Sequence, residues 1–197
     1  MSRLKVTAVS GSYKIPSRTT AIIEELTQRL GKQIPIDLHL IELSKIAPDL
    51  VASFDPADLP ANIQRDIKAI ENADLLIVAT PVYRASYTGL FKHLFDLVNY
   101  ESLFDVPVLL AATGGSERHA LIIDHELRPL FSFFQALTLP VGVYGTEADF
   151  VNYKVNNPVL SARIDLAIER ALPLLKHREL VSPDADTHIA SALLATA

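Results

Sequence analysis

Three short stretches carry the residue types able to hold a ligand. The first is Ser10-Gly11-Ser12-Tyr13-Lys14-Ile15-Pro16-Ser17-Arg18-Thr19-Thr20, dense in hydroxyls and holding two cations. Short hydroxyl side chains and free N–H groups at a helix start make a cradle for an anion, and the helix dipole adds to it. Gly11 lets the backbone approach closely, Pro16 stiffens the loop, and Lys14 or Arg18 can add charge. Ser17 and Thr19 suit plain helix capping equally well. The second stretch, Thr80-Pro81-Val82-Tyr83-Arg84-Ala85-Ser86-Tyr87-Thr88-Gly89, has a proline that ends a strand and fixes a loop. Its backbone groups and two tyrosines suit a planar heterocycle, although tyrosines also pack at interfaces. In the third, Ala112-Thr113-Gly114-Gly115-Ser116, two glycines let backbone lie against a flat ring, the alternative being an ordinary strand-to-helix turn.

What the chain lacks narrows the chemistry. There is no Walker-type loop and no Gly-x-Gly-x-x-Gly fingerprint, so neither ATP nor a dinucleotide in its own Rossmann site is expected. No Gly-x-Ser-x-Gly elbow is present. The absence of cysteine excludes a thiolate metal site, a disulfide framework and cysteine redox catalysis, and suits a reducing, cytoplasmic compartment. His93, His119 and His125 show no metal-ligand spacing, so no metal is expected. A net charge of −5 argues against a general nucleic-acid affinity. No apolar run reaches the roughly 18 residues of a membrane span, and no secretory leader is expected at the start.

Hydrophobic periodicity supplies the elements that must position these stretches. Strands are expected at Leu4–Ser10, Ile36–Leu43, Ala73–Thr80, Pro107–Ala112 and Thr138–Val143. Helices are expected at Thr19–Leu30, Ala61–Asn72, Thr88–Tyr100, Glu117–Ala136 and Val159–Leu175, with a proline-broken loop over Ser44–Leu59. This strict alternation predicts an α/β fold, a flavodoxin-like doubly wound five-stranded parallel sheet of order 2-1-3-4-5 with helices on both faces. Residues 1–176 form one domain in this reading, and 177–197 a tail that is frayed or docked on a neighbour. Ligands in such a sheet bind beyond the carboxyl ends of the strands where the order reverses, which is where the three stretches fall.

With these loops in place, the sequence resembles the NAD(P)H-dependent FMN reductases of the flavodoxin-like superfamily. Within them it looks most like the reductase components of two-component alkanesulfonate or methanesulfonate monooxygenase systems. The likeness is carried by Ser10-Gly11-Ser12 with Pro16-Ser17-Arg18, by Ala79–Gly89, and by Ala112–Gly115 followed by His119 and Asp124. It implies that Ser10, Ser12, Ser17, Arg18 and Thr19 serve the FMN phosphate. Pro81, Val82, Tyr83 and Arg84 would lie beside the isoalloxazine ring, and Thr113, Gly114 and Gly115 along its other edge. It also implies NADH or NADPH as hydride donor, no catalytic side chain, and a flavin-dependent monooxygenase receiving the reduced FMN. A homo-oligomer, dimer or tetramer, with the fourth helix at its interface, belongs to the same expectation. His125 stands where some members carry an inserted tyrosine within a π-helix, leaving a π-turn or an ordinary helix with an interface histidine as alternatives. The rival readings are a quinone or azo reductase with tightly held FMN and a non-enzymatic flavodoxin-like electron carrier.

Overall fold

Strands covered on both faces should be apolar at nearly every position, and three are. In β1 (Leu4–Ser10), β3 (Leu75–Pro81) and β4 (Pro107–Gly114) almost every residue is buried in the computed structural model, which describes residues 3–180, by backbone alone over 177–180. Successive side chains feed opposite faces. Val9, Val78 and Leu110 join a core with Ile67, Phe91 and Phe131, whereas Ala8, Ile77 and Leu109 join one with Ile22, Leu26 and Ile164.

The sheet is parallel, in the order β2 (Ile36–Glu42), β1, β3, β4, then β5 (Leu137–Thr138). This is the predicted flavodoxin-like order. Helices α1 (Arg18–Gly31) and α6 (Pro158–Leu180) cover one face. The other is covered by α2 (Leu43–Val51), α3 (Ala61–Glu71), α4 (Gly89–Asp96) and α5 (Arg128–Phe133). No helix among the described residues is long and apolar enough to cross a membrane. The backbone of α6 continues past the proposed boundary at 176, and the rest of the expected tail, 181–197, lies outside the described residues.

Three local expectations are corrected. The presumed loop Ser44–Leu59 begins as a helix, α2, despite Pro48 in its interior. An interior proline costs about 3 kcal/mol, but Leu43 and Leu50, two turns apart, are both fully buried, and that burial outweighs the break. The fifth strand, expected over Thr138–Val143, is split into β5 and β6 (Val143–Thr146), both paired with β4. Pro140 has no N–H to give, and a Cβ on Gly142 would come within 2.7 Å of Ile123 Cγ2. The carbonyls of the interruption are satisfied by side chains: Arg128 donates to Leu139 O at 3.1 Å and Arg163 to Gly142 O at 2.8 Å.

The third correction concerns Glu117–Ala136, expected to be one helix. It runs as a 3₁₀ turn (Glu117–His119), a π-turn (Ile123–Leu127) and then α5. The Arg128 N–H reaches back five residues to Ile123 O, which defines the π-turn. Pro129 supplies a local reason, since its ring would collide with the His125 carbonyl in a regular α-helix. His125 is exposed at the centre of this turn.

Candidate functional site

The strand register brings four chain segments to one edge. Ser10 aligns with Ala79, Pro81 with Thr113, and Gly114 with Thr146, so the carboxyl ends of β1, β3, β4 and β6 open side by side. The loops that leave them are tied to one another. Gly11 N donates to Ala79 O at 2.7 Å, and the Thr88 hydroxyl donates to Gly11 O at 3.0 Å. Val82 N donates to Thr113 O at 2.8 Å, and the Thr19 and Thr113 hydroxyls share a buried bond of 2.7 Å. Such cross-ties fix the loops before any ligand arrives, which limits the ordering cost of binding.

Between them lies a cavity of about 380 Å³ bordered by the first loop from Ser12 to Thr19, by Pro81–Tyr83 and by Thr113–Gly115. Ser17 caps α1, its Oγ accepting from Thr20 N at 3.3 Å. The neighbouring first-turn N–H groups have no partner within the helix and face the anion-favouring end of its dipole. The Ser12 hydroxyl accepts from Lys14 N at 3.2 Å and holds the loop's bend. Ser10 is fully buried beneath the cavity, where its hydroxyl pairs with that of Thr20 at 2.8 Å.

The opposite wall suits a flat ring. Tyr83 and Ser86 bridge a tight turn whose central residues, Arg84 (φ 52°) and Ala85 (φ 69°), both occupy the left-handed region, the mark of a type I′ turn. Arg84 sits at the exposed tip and does not border the cavity. Tyr83 meets Tyr13 edge to face, with centroids 5.7 Å apart, and the Tyr13 hydroxyl accepts from Leu90 N at 2.9 Å. A Cβ on Gly114 would fall 2.1 Å from the Tyr144 hydroxyl and displace it, while a Cβ on Gly115 would meet nothing within 4 Å. Burial and the nearby Glu117 raise the Tyr144 pKa, and its hydroxyl donates to Ser116 O at 2.7 Å. The residues present therefore fit a phosphate at one end and a planar heterocycle at the other.

Two bordering residues were missed by the sequence reading, Glu147 and Tyr153. Glu147 pairs with Arg18, and the Arg18 guanidinium lies 5.6 Å above the Tyr153 ring centroid. Tyr153 is carried by a hairpin of β7 (Phe150–Val151) and β8 (Lys154–Val155) whose turn, Asn152 (φ 49°) and Tyr153 (φ 59°), is again of type I′. Asn152 between two short β-prone pairs is a signal that could have located this turn. Among the described residues no group of three His, Cys, Asp or Glu is placed to hold a metal ion.

Comparison with known proteins agrees with this geometry. Residues 4–150 match the family described as NADPH-dependent FMN reductase. The chain is 61% identical over 175 residues to the NADH-dependent FMN reductase SfnF of Pseudomonas fluorescens, covering 88% of this chain and 94% of the relative. It is 57% identical over 177 residues to an FMN reductase (NADPH) of Pseudomonas aeruginosa, covering 90% and 95%. Among solved structures, an oxidoreductase from Corynebacterium diphtheriae superposes with a TM-score of 0.77 at 33% identity, covering 89% of this chain and 99% of that one.

Proposed function

The chain belongs to the NADPH-dependent FMN reductase family, and we propose that it passes the FMN it reduces to a partner monooxygenase acting on sulfonates. It is an NAD(P)H:FMN oxidoreductase, with FMN and NADH or NADPH as its cofactors. The observation that carries the site assignment is the junction of three cross-tied loops on one cavity, with a capped helix start at one end and side-chain-free backbone at the other. The partner assignment is supported by the likeness of Ser10–Arg18, Ala79–Gly89 and Ala112–Gly115 to the reductases of two-component systems.

In this reading Ser12, Ser17, Arg18 and Thr19 hold the FMN phosphate, and Ser10 supports them from below through Thr20. Pro81, Val82 and Tyr83 would hold the ring from one side and Thr113, Gly114 and Gly115 from its other edge, while Arg84, expected beside the ring, stands at the turn tip outside the cavity lining. When bound, FMN supplies the hydride-accepting centre for nicotinamide. The chain's own contribution is orientation, because no proton transfer is needed for direct hydride passage.

Assembly and location complete the proposal. A second cavity of about 890 Å³ is bordered by Tyr87, Phe95, Leu130 and the well-exposed Phe133, and Leu121, whose carbonyl accepts from His125 N, is exposed as well. We assign this side, with the His125 turn, to contacts in a dimer or tetramer. The complete lack of cysteine suits the cytoplasm.

The decisive experiment follows anaerobic NADH and NADPH oxidation by purified protein with and without added FMN. Oxidation that requires added FMN, with reduced flavin passing a protein-retaining filter, is expected. Retained FMN with ping-pong transfer to quinones or azo dyes would establish the quinone or azo reductase instead. No oxidation with FMN present would leave an electron carrier.

A further inference from the structure

Arg18 is held from two sides inside the cavity proposed for FMN. Its guanidinium pairs with Glu147 and lies over the Tyr153 face, so an internal carboxylate already occupies the cation that the phosphate loop offers.

The backbone under Glu147 is fixed. Buried Asp149 accepts from Thr146 N at 2.6 Å and from the Thr146 hydroxyl at 2.8 Å, and Asn157 donates to its other carboxylate oxygen at 2.5 Å. The Glu147 side chain, in contrast, is 67% exposed. A pair this open costs little to exchange. The arrangement is therefore a fixed base carrying a side chain free to yield.

We propose that Glu147 is a positioning residue that competes with the flavin phosphate for Arg18 and so keeps FMN affinity low enough for release. This rests on the reading of Ser12–Thr19 as the phosphate site. A phosphate monoester brings nearly two negative charges. To bind it Arg18 must leave Glu147, or share itself between two anions that repel each other. Either course weakens phosphate binding selectively, and the flavin ring, held at the far end by Tyr83 and Gly115, does not sense the change. Tyr153 keeps the guanidinium within the cavity in both states by offering it a π face. A reductase that hands on its product gains from such a built-in competitor; a protein retaining FMN permanently has no use for one.

The test compares FMN and riboflavin, which differ only in the phosphate, by flavin fluorescence quenching on the full-length protein. Glu147→Gln should tighten FMN binding about two- to fivefold at low ionic strength and leave riboflavin binding unchanged. Glu147→Asp, which keeps the charge, should restore wild-type affinity. The gain should shrink in about 1 M salt, where screening is short-ranged, and should largely vanish in an Arg18→Gln background. Wild-type protein that binds FMN no better than riboflavin overturns the phosphate-site reading and this inference together. A wild-type preference for FMN that Arg18→Gln abolishes, but that Glu147→Gln does not increase, overturns the role of Glu147 alone. An equal change for both flavins, as a merely structural defect would give, or an equal gain with and without Arg18, overturns it as well.

Discussion

Helix α1 and the Glu117–Phe133 segment both follow a glycine-bearing loop at the carboxyl edge of the sheet, yet only α1 is a regular helix. In α1 every instruction is local. Ser17 caps its start, Lys32 closes its end by donating its N–H to Gln28 O and Leu30 O, and Ile22, Ile23, Leu26 and Leu30 line one buried stripe at helical spacing. In Glu117–Phe133 the local and distant instructions disagree. Pro129 disfavours a continuous α-helix, Ile123 fills the gap at Gly142, and Arg128 satisfies a carbonyl of the split strand. The π-turn meets all three conditions at once. The break in the strand and the break in the helix are one contact seen from two sides, and regular geometry gives way where tertiary demands converge.

If the second region is shaped by packing, deleting its buried anchor should be the most damaging change. Phe131 is fully buried and packs edge to face on Phe95 at 5.0 Å. Phe131→Ala should cost about 3–5 kcal/mol in urea-induced unfolding. A loss below about 1 kcal/mol would mean that the segment holds its shape without this core.

The shared contact can be struck from the strand side. Gly142→Val places a branched side chain where even a Cβ would lie 2.7 Å from Ile123 Cγ2. Overpacking of this kind costs about 1–3 kcal/mol. Adding Ile123→Ala to Gly142→Val should recover part of the loss; a purely additive double variant would show that the two breaks are independent.

The same contrast explains what was legible in the sequence. Strands β1, β3 and β4 were readable because two-sided burial makes them continuously apolar, and α1 because its cap and stripe are local. The loops after β1, β3 and β4 could be found because their composition, hydroxyls, proline and paired glycines, is itself the signal. Glu147 and Tyr153 escaped because the fifth strand was placed at Thr138–Val143, so its carboxyl end pointed three residues short of Thr146. Only the pairing of Val143–Thr146 with β4 shows that the edge of the site lies there. Helix α2 escaped because Pro48 is a strong local signal and the burial of Leu43 and Leu50 that overrides it is not.

The local character of α1 gives a milder prediction. Ser17→Ala removes the bond from Thr20 N at 3.3 Å and should cost about 1 kcal/mol of stability. It should also weaken FMN more than riboflavin if the helix start holds the phosphate. Equal weakening of both flavins would separate the cap from the cradle.

The smallest expected effect again concerns the second region, whose entry is held by a titratable donor. The Tyr144 hydroxyl donates to Ser116 O, and burial, with Glu117 adding to it, raises the Tyr144 pKa above the ordinary tyrosine value. Burial likewise raises Tyr87, in the loop after β3. The sign follows from linkage: a group whose folded pKa is raised contributes its full stability below the unfolded pKa, about 10, and loses it as pH rises through the folded value. Unfolding titrations should therefore be flat in this contribution below about pH 10 and fall above it. Tyr144→Phe gives up a little stability at neutral pH by leaving Ser116 O without this donor, and in return shows a shallower alkaline decline. An identical alkaline slope in wild type and Tyr144→Phe would place the sensitivity elsewhere. α1 contains no tyrosine, so hydrogen exchange should show the Glu117–Leu127 amides losing protection at alkaline pH before those of α1 do.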